Sequence, residues 1–243
     1  MKILAMDTSN HPLSVALVED DQLIAETTLN LAKNHSVYLM PVIEKLMAGA
    51  SWQPEQLDRI VVAKGPGSYT GIRIAVTTAK TLAATLKIEM VGISSLALIA
   101  ANVATINPDL LVVPFFDARR GNVFAGGFKY ENNRLNNVMP EQHVSFEELL
   151  IALKQKAENV VLVGNITDVF KSQLEPFDSS KFKIAPASAT VPSAYQLALL
   201  GNQETPVVDI DKFIPNYLRV TEAEAQWQKL HPGESKQSYV REV

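Results

Sequence analysis

The sequence predicts an α/β protein with mixed sheets, built from two related halves. Three observations carry this prediction. Short apolar strand-like runs alternate with longer helical runs over the first ninety or so residues, and the alternation restarts near Asn107-Pro108. A strand that ends in an aspartate turn and is followed by another strand occurs in both halves, at Asp7 and at Asp117.

The elements follow in order. Ile3 to Met6, Ser14 to Val18 and Leu23 to Thr28 read as three strands of a meander, separated by the polar turns Thr8-Ser9-Asn10 and Glu19-Asp20-Asp21. A helix from about Val37 to Met47 follows, with Pro41 expected to remove one intrahelical hydrogen bond and kink it. Then come the strand Ile60 to Ala63, a glycine-rich turn, a helix from Ile72 to Leu86 and a strand from Met90 to Ile93. After the restart, Leu110 to Phe116 reads as a strand, Asp117 to Gly121 as a turn, and Asn122 to Tyr130 as a strand continuing towards Met139. Ser145 followed by Glu148 is a capping box that starts a helix, Val160 to Val163 is a strand, and Ser193 to Leu200 is a helix closed by Gly201. These divide the chain into an N-terminal domain over 1–107, a C-terminal domain over 108–221 and a polar tail over 222–243.

Composition narrows the function. A 243-residue chain with 47% hydrophobic and 20% charged residues has enough apolar material for a packed core. The net charge of -4 opposes broad, sequence-independent nucleic-acid binding but leaves room for a local basic patch. With no cysteine, disulfides, thiolate metal sites and cysteine nucleophiles are excluded together. Asp7 interrupts the N-terminus too early for a signal-peptide core, and no apolar run has membrane-spanning length, so a cytoplasmic protein with no membrane role is expected.

The stretch Gly65-Pro66-Gly67-Ser68-Tyr69-Thr70-Gly71-Ile72-Arg73 lies between a strand and a helix, where backbone N–H groups can meet an anion. It lacks a phosphate-binding lysine and does not have the dinucleotide spacing. Asp7-Thr8-Ser9 resembles the first phosphate loop of the actin-like, sugar-kinase and Hsp70 superfamily, with Asp117 at the matching place in the second half. In that superfamily the second turn has glycine where Arg119 stands, so Asp7, Thr8, Ser9 and Asp117 are candidates for a degenerate nucleotide site at most. His11, His35, His143 and His231 form no metal-binding pair, and Ser68 lacks the flanking glycine pattern of a nucleophile elbow.

The helices say more. Ile72, Ala75, Val76, Ala79, Leu82, Ala83 and Leu86 form a core stripe, yet the opposite side carries Ile74, Thr77, Thr78, Thr81, Ala84 and Thr85, with only Arg73 and Lys80 charged. In the run 37–47, Leu39, Val42, Ile43, Leu46 and Met47 serve the core and leave Val37, Tyr38 and Met40 for another face. Two explanations stand: a second layer inside one domain, or a protein interface.

Taken together, Ile3-Leu4-Ala5-Met6-Asp7-Thr8-Ser9, Asn34-His35-Ser36 with Leu39-Met40-Pro41, the glycine-rich element, Gly92-Ile93-Ser94-Ser95-Leu96, Asp117-Ala118-Arg119-Arg120 and Pro215-Asn216-Tyr217-Leu218-Arg219 resemble the TsaB (YeaZ) family along nearly the whole chain. The resemblance implies two actin-like ATPase, ribonuclease-H-like domains. It also implies a catalytically silent partner of a TsaD-like subunit in forming N6-threonylcarbamoyladenosine at position 37 of tRNA, without a cofactor or metal. A TsaE-like ATPase is expected to join the complex, with tRNA met only there, and pairing with a second copy is expected when the TsaD-like subunit is absent. The implied interface is Val37, Tyr38, Met40, Arg73, Ile74, Thr77, Thr78, Thr81 and Thr85, with Gly65, Gly67 and Gly71 as a structural turn. Where the TsaD paralogue has a His-x-x-x-His metal pair, this chain has Ser95 and Ile99. The alternative is an ATP-dependent small-molecule kinase or ATPase using Asp7 and Asp117; a metallopeptidase would need a bound metal.

Overall fold

Strands β1 (Lys2–Asp7), β2 (Leu13–Glu19) and β3 (Gln22–Leu29) form the expected meander, followed by α1 (His35–Gly49), β4 (Arg59–Ala63), α2 (Tyr69–Leu86) and β5 (Glu89–Ile93). They make one five-stranded sheet of order β3-β2-β1-β4-β5, antiparallel among the first three strands and parallel beyond β1. The computed structural model describes residues 1–31, 34–104, 110–156, 159–177 and 180–219, so the expected boundary at 107/108 and the tail over 222–243 lie outside the described residues.

The second half repeats this plan. Helix α3 (Ser95–Ala104) leads to β6 (Leu111–Asp117), β7 (Asn122–Glu131), β8 (Arg134–Ser145), α4 (Phe146–Lys154), β9 (Val160–Val163), α5 (Asp168–Leu174), β10 (Phe182–Ile184) and α6 (Ala194–Asn202). Its sheet runs β8-β7-β6-β9-β10, with β6 antiparallel to β7 and parallel to β9. The expected strand from Asn122 towards Met139 is corrected here. The chain reverses at Asn132 and Asn133, both with positive φ, and β8 returns antiparallel along β7.

Strands β1, β2, β4, β6 and β9 are buried on both faces, which is why they read as apolar runs rather than alternating ones, whereas the outer strands β3 and β8 stay largely exposed or half-buried. Along β1, Leu4 and Met6 face Leu39, Ile43, Ile72 and Val76 of α1 and α2, while Ile3 and Ala5 face Ala194, Leu197 and Ala198 of α6. In the second sheet Val113, Phe115 and Leu162 pack on Phe146, Leu149 and Phe170, and Val112, Val161 and Val163 pack on Leu96, Ile99 and Ala100 of α3. Each sheet is therefore covered on its inner face by a helix from the other half of the sequence.

Helix α6 is fixed to the first sheet at both ends. Glu26 on β3 accepts from Ser193 Oγ and Tyr195 N, placing a carboxylate at the helix start. At the other end the buried Arg59 donates from Nη1 to the Gly201 carbonyl at 2.9 Å and from Nη2 to Glu89 Oε2 at 2.6 Å. Gly201 is not the terminating cap expected of it, since α6 continues to Asn202. Its missing side chain is a packing requirement, because a Cβ there would lie 2.4 Å from Val61 Cγ1.

Candidate functional site

The junction of β1 with the glycine-rich turn is closed backbone on backbone. Ser68 N donates to Ser9 O at 2.7 Å, and Thr8 Oγ1 donates to Gly71 O at 2.6 Å. A Cβ at Gly67 would lie 2.2 Å from Ser9 O and one at Gly71 2.1 Å from Thr8 O, so glycine is the residue that lets the two turns touch. Ser95 ties the same turn from below, with its Oγ accepting from Gly65 N and its own N–H donating to Gly65 O. Ser68 Oγ caps α2 by accepting from Gly71 N, so the helix begins at Tyr69, one turn before the expected Ile72.

This closure divides the four nucleotide candidates. Asp7, Thr8 and Ser9 are buried, and Asp7 Oδ1 accepts from Ser9 N at 2.7 Å. Burial raises the Asp7 carboxyl above the ordinary carboxylate range, against the pull of its hydrogen bonds from Ser9. Asp117 instead lies on the far wall of an open cleft, where its Oδ1 accepts from Arg119 N. The cleft, about 1640 Å³, is bounded on one side by Asn10, Ser68 and Tyr69 and on the other by Asp117, Arg119 and Asn165. Ser95 and Ile99 are buried on α3, and among the described residues no group of three or more His, Asp or Glu side chains is placed to hold a metal.

A second concavity, about 470 Å³, runs between α1 and α2 and is lined by Leu39, Met40, Arg73, Ile74, Thr77 and Thr78. Val37 is 63% and Met40 47% exposed, values far from those of core residues. Arg73, Thr77, Thr81 and Thr85 are exposed along α2, while Ile74 and Thr78 are half-buried on the groove side. The nine expected interface positions therefore lie on these two neighbouring helices. Among the described residues no charged side chain other than Arg73 lines the groove.

The segment after α6 was not foreseen as part of the site. It crosses from the first sheet to the second: Val207 N donates to Met90 O, Asn216 N to Lys64 O and Arg219 Nη1 to Ala118 O. Lys80 on α2 donates to the carbonyls of Asp211 and Phe213, which removes it from the free surface of that helix. Tyr217 stacks on Tyr69 at 5.0 Å between ring centroids, and Arg73 donates to Tyr69 Oη at 3.0 Å. Glu141 on β8 accepts from Ser94 Oγ and from Asn216 Nδ2, which joins both halves and this segment at one carboxyl. The sequence signal was the run Pro215-Asn216-Tyr217-Leu218-Arg219, whose contacts lie far away in the chain.

Two copies of one sheet order, joined by exchanged helices around a cleft, define an actin-like, ribonuclease-H-like α/β protein, here with its first phosphate-type turn buried. The family model for TsaD, tRNA N6-adenosine threonylcarbamoyltransferase, matches residues 22–227. The chain is 44% identical over 227 residues to tRNA threonylcarbamoyladenosine biosynthesis protein TsaB of Bacillus subtilis (strain 168), covering 93% of this chain and 98% of that one. It is 26% identical to the TsaB protein of Escherichia coli (strain K12), covering 96% and 99%. The solved structure of YeaZ from Pseudomonas aeruginosa shares its fold, with a TM-score of 0.76 at 22% identity over 89% of this chain and 99% of that one. The chain belongs to the TsaB (YeaZ) family. Among the described residues no helix is long and apolar enough to cross a membrane.

Proposed function

We propose that this chain is a non-catalytic cytoplasmic partner in threonylcarbamoyladenosine formation on tRNA, binding and activating a TsaD-like subunit through the groove between α1 and α2. The observation that carries the reading is the groove itself: exposed Val37 and Met40 flank an α2 face of threonines, isoleucine and a single arginine. Such a face gives a partner helix close approach without stranding charges, which suits a protein interface better than solvent. The same face would pair two copies of this chain when the TsaD-like subunit is absent, and a TsaE-like ATPase would join the assembled complex.

The sealed junction supports the silent role. A nucleotide phosphate would need donors from Asp7-Thr8-Ser9, but the turn is buried, with the Thr8 hydroxyl spent on Gly71 O and Ser9 N on Asp7 Oδ1, so the kinase or ATPase alternative loses the turn it depends on. Reconstitution tests the reading. The wild-type chain should restore tRNA modification by the TsaD-like subunit of its own organism, whereas Thr78→Glu should not; modification restored equally by both would overturn it.

A further inference from the structure

The far wall of the cleft carries charge that the groove does not explain. Arg119 and Arg120 stand side by side in the turn between β6 and β7, both exposed and both with positive φ, at 71° and 55°. Arg219 reaches the same place on the returning segment. None of the three guanidinium groups has a carboxylate partner within ion-pair distance among the described residues. Asp117 is the one described carboxylate lining the cleft, facing three arginines together with His11 and His35, on a chain whose net charge is -4. The turn is held by its own backbone, with Ala118 N donating to Asn122 O and Asn122 N to Arg119 O, so the arginine side chains are not needed to build it.

We infer that this cleft binds the phosphate backbone of a single-stranded RNA segment, one belonging to the tRNA substrate of the complex proposed above. The inference rests on that reading for the identity of the RNA, and on the cleft for the rest. Guanidinium groups without a carboxylate partner among the described residues, along an open wall, suit a string of phosphates. The stacked pair Tyr69 and Tyr217 at the opposite wall offers an exposed aromatic platform for a base. The cleft volume of about 1640 Å³ exceeds what one small ligand fills, and the closed Asp7-Thr8-Ser9 turn denies a free nucleotide its usual phosphate seat.

The test uses the reconstituted complex and a tRNA transcript, with affinity measured by fluorescence anisotropy over a range of salt. The variant Arg119→Asn/Arg120→Asn removes two charges while keeping a residue type that tolerates positive φ, and Arg119→Lys/Arg120→Lys keeps the charge. The asparagine pair should weaken tRNA binding by about tenfold and lower the salt slope by roughly 1.4, two phosphate contacts at about 0.7 each for single strands. The lysine pair should retain most of the affinity. Arg134→Asn, at the far end of the β7-β8 hairpin, should change neither, and co-elution with the TsaD-like subunit should be unaffected by all three. Unchanged affinity and slope in the asparagine pair, with the complex intact, would overturn the inference and leave the partner reading standing. Equal competition by polyglutamate would overturn it in favour of an acidic protein segment, and equal competition by free ATP in favour of a nucleotide. Loss of co-elution would show that the arginines serve the partner interface instead.

Discussion

Gly71→Ala separates a turn that seals from a turn that cradles an anion. The added Cβ would lie 2.1 Å from Thr8 O, a backbone atom that cannot rotate away. Relieving such overlap costs about 1 to 3 kcal/mol. The shift also breaks the 2.6 Å bond from the buried Thr8 hydroxyl to Gly71 O, worth a further 1 to 3 kcal/mol or so when the hydroxyl is left unpaired. Alanine returns up to about 1 kcal/mol through helix propensity, which leaves a net loss of about 3 kcal/mol. For a chain of this size, with an m-value of about 3 kcal/mol/M, the urea midpoint should fall by roughly 1 M. Gly49→Ala is the matched control: nothing lies within 4 Å of its Cβ position, and it should be neutral or slightly stabilising. A Gly71→Ala midpoint within about 0.2 M of wild type would refute the sealing argument. So would a variant of unchanged stability that lost only the ability to bind an anion.

Two further outcomes test how the halves are joined. Arg59→Ala should cost about 2 kcal/mol in urea unfolding, mostly from losing the charged donor shared by the α6 carbonyls of Gly201 and Asn202, because the half-exposed Glu89 is screened by solvent. Hydrogen exchange should then quicken first in the last turn of α6; a loss below about 0.5 kcal/mol would contradict the pinning role. Burial raises the Glu141 carboxyl above its ordinary value of 4.5, against the hydrogen bonds from Ser94 and Asn216 and the nearby Lys64. Its contribution to stability is therefore fully present below that ordinary value and is lost as pH rises through the higher folded-state value. The stability of wild type relative to Glu141→Gln should fall between pH 4 and pH 7, and a rise over that range would contradict the assigned direction.

Much of the framework could be read from local signals, and the failures have physical causes. Ser145 and Glu148 announced α4 because a capping box is complete within four residues. The undercharged faces of α1 and α2 were visible because a helix repeats its faces at fixed spacing. Helix α3 was missed because Ser95–Ala104 lies between the two halves, touching Leu98 to the first core and Leu96, Ile99 and Ala100 to the second, so no polar stripe marks its period. Gly201 was misread because a glycine needed for close packing and a glycine that ends a helix look alike in sequence. The cleft was hidden for a different reason: Arg219 and Tyr217 meet Ala118 and Tyr69 only after the chain has crossed both sheets. Arg59 and Glu141 likewise find partners 142 and 75 residues away, where no spacing rule reaches.

The central claim, that the α1–α2 groove receives a TsaD-like subunit, is tested most directly by calorimetric titration of that subunit into the wild-type chain and into Ile74→Glu. Placing a carboxylate on the half-buried wall of the groove should weaken association by about 100-fold, or roughly 3 kcal/mol, read in a variant confirmed to be folded because Ile74 also packs partly against the first core. Affinity equal to wild type in a folded Ile74→Glu protein would place the partner elsewhere and contradict the account.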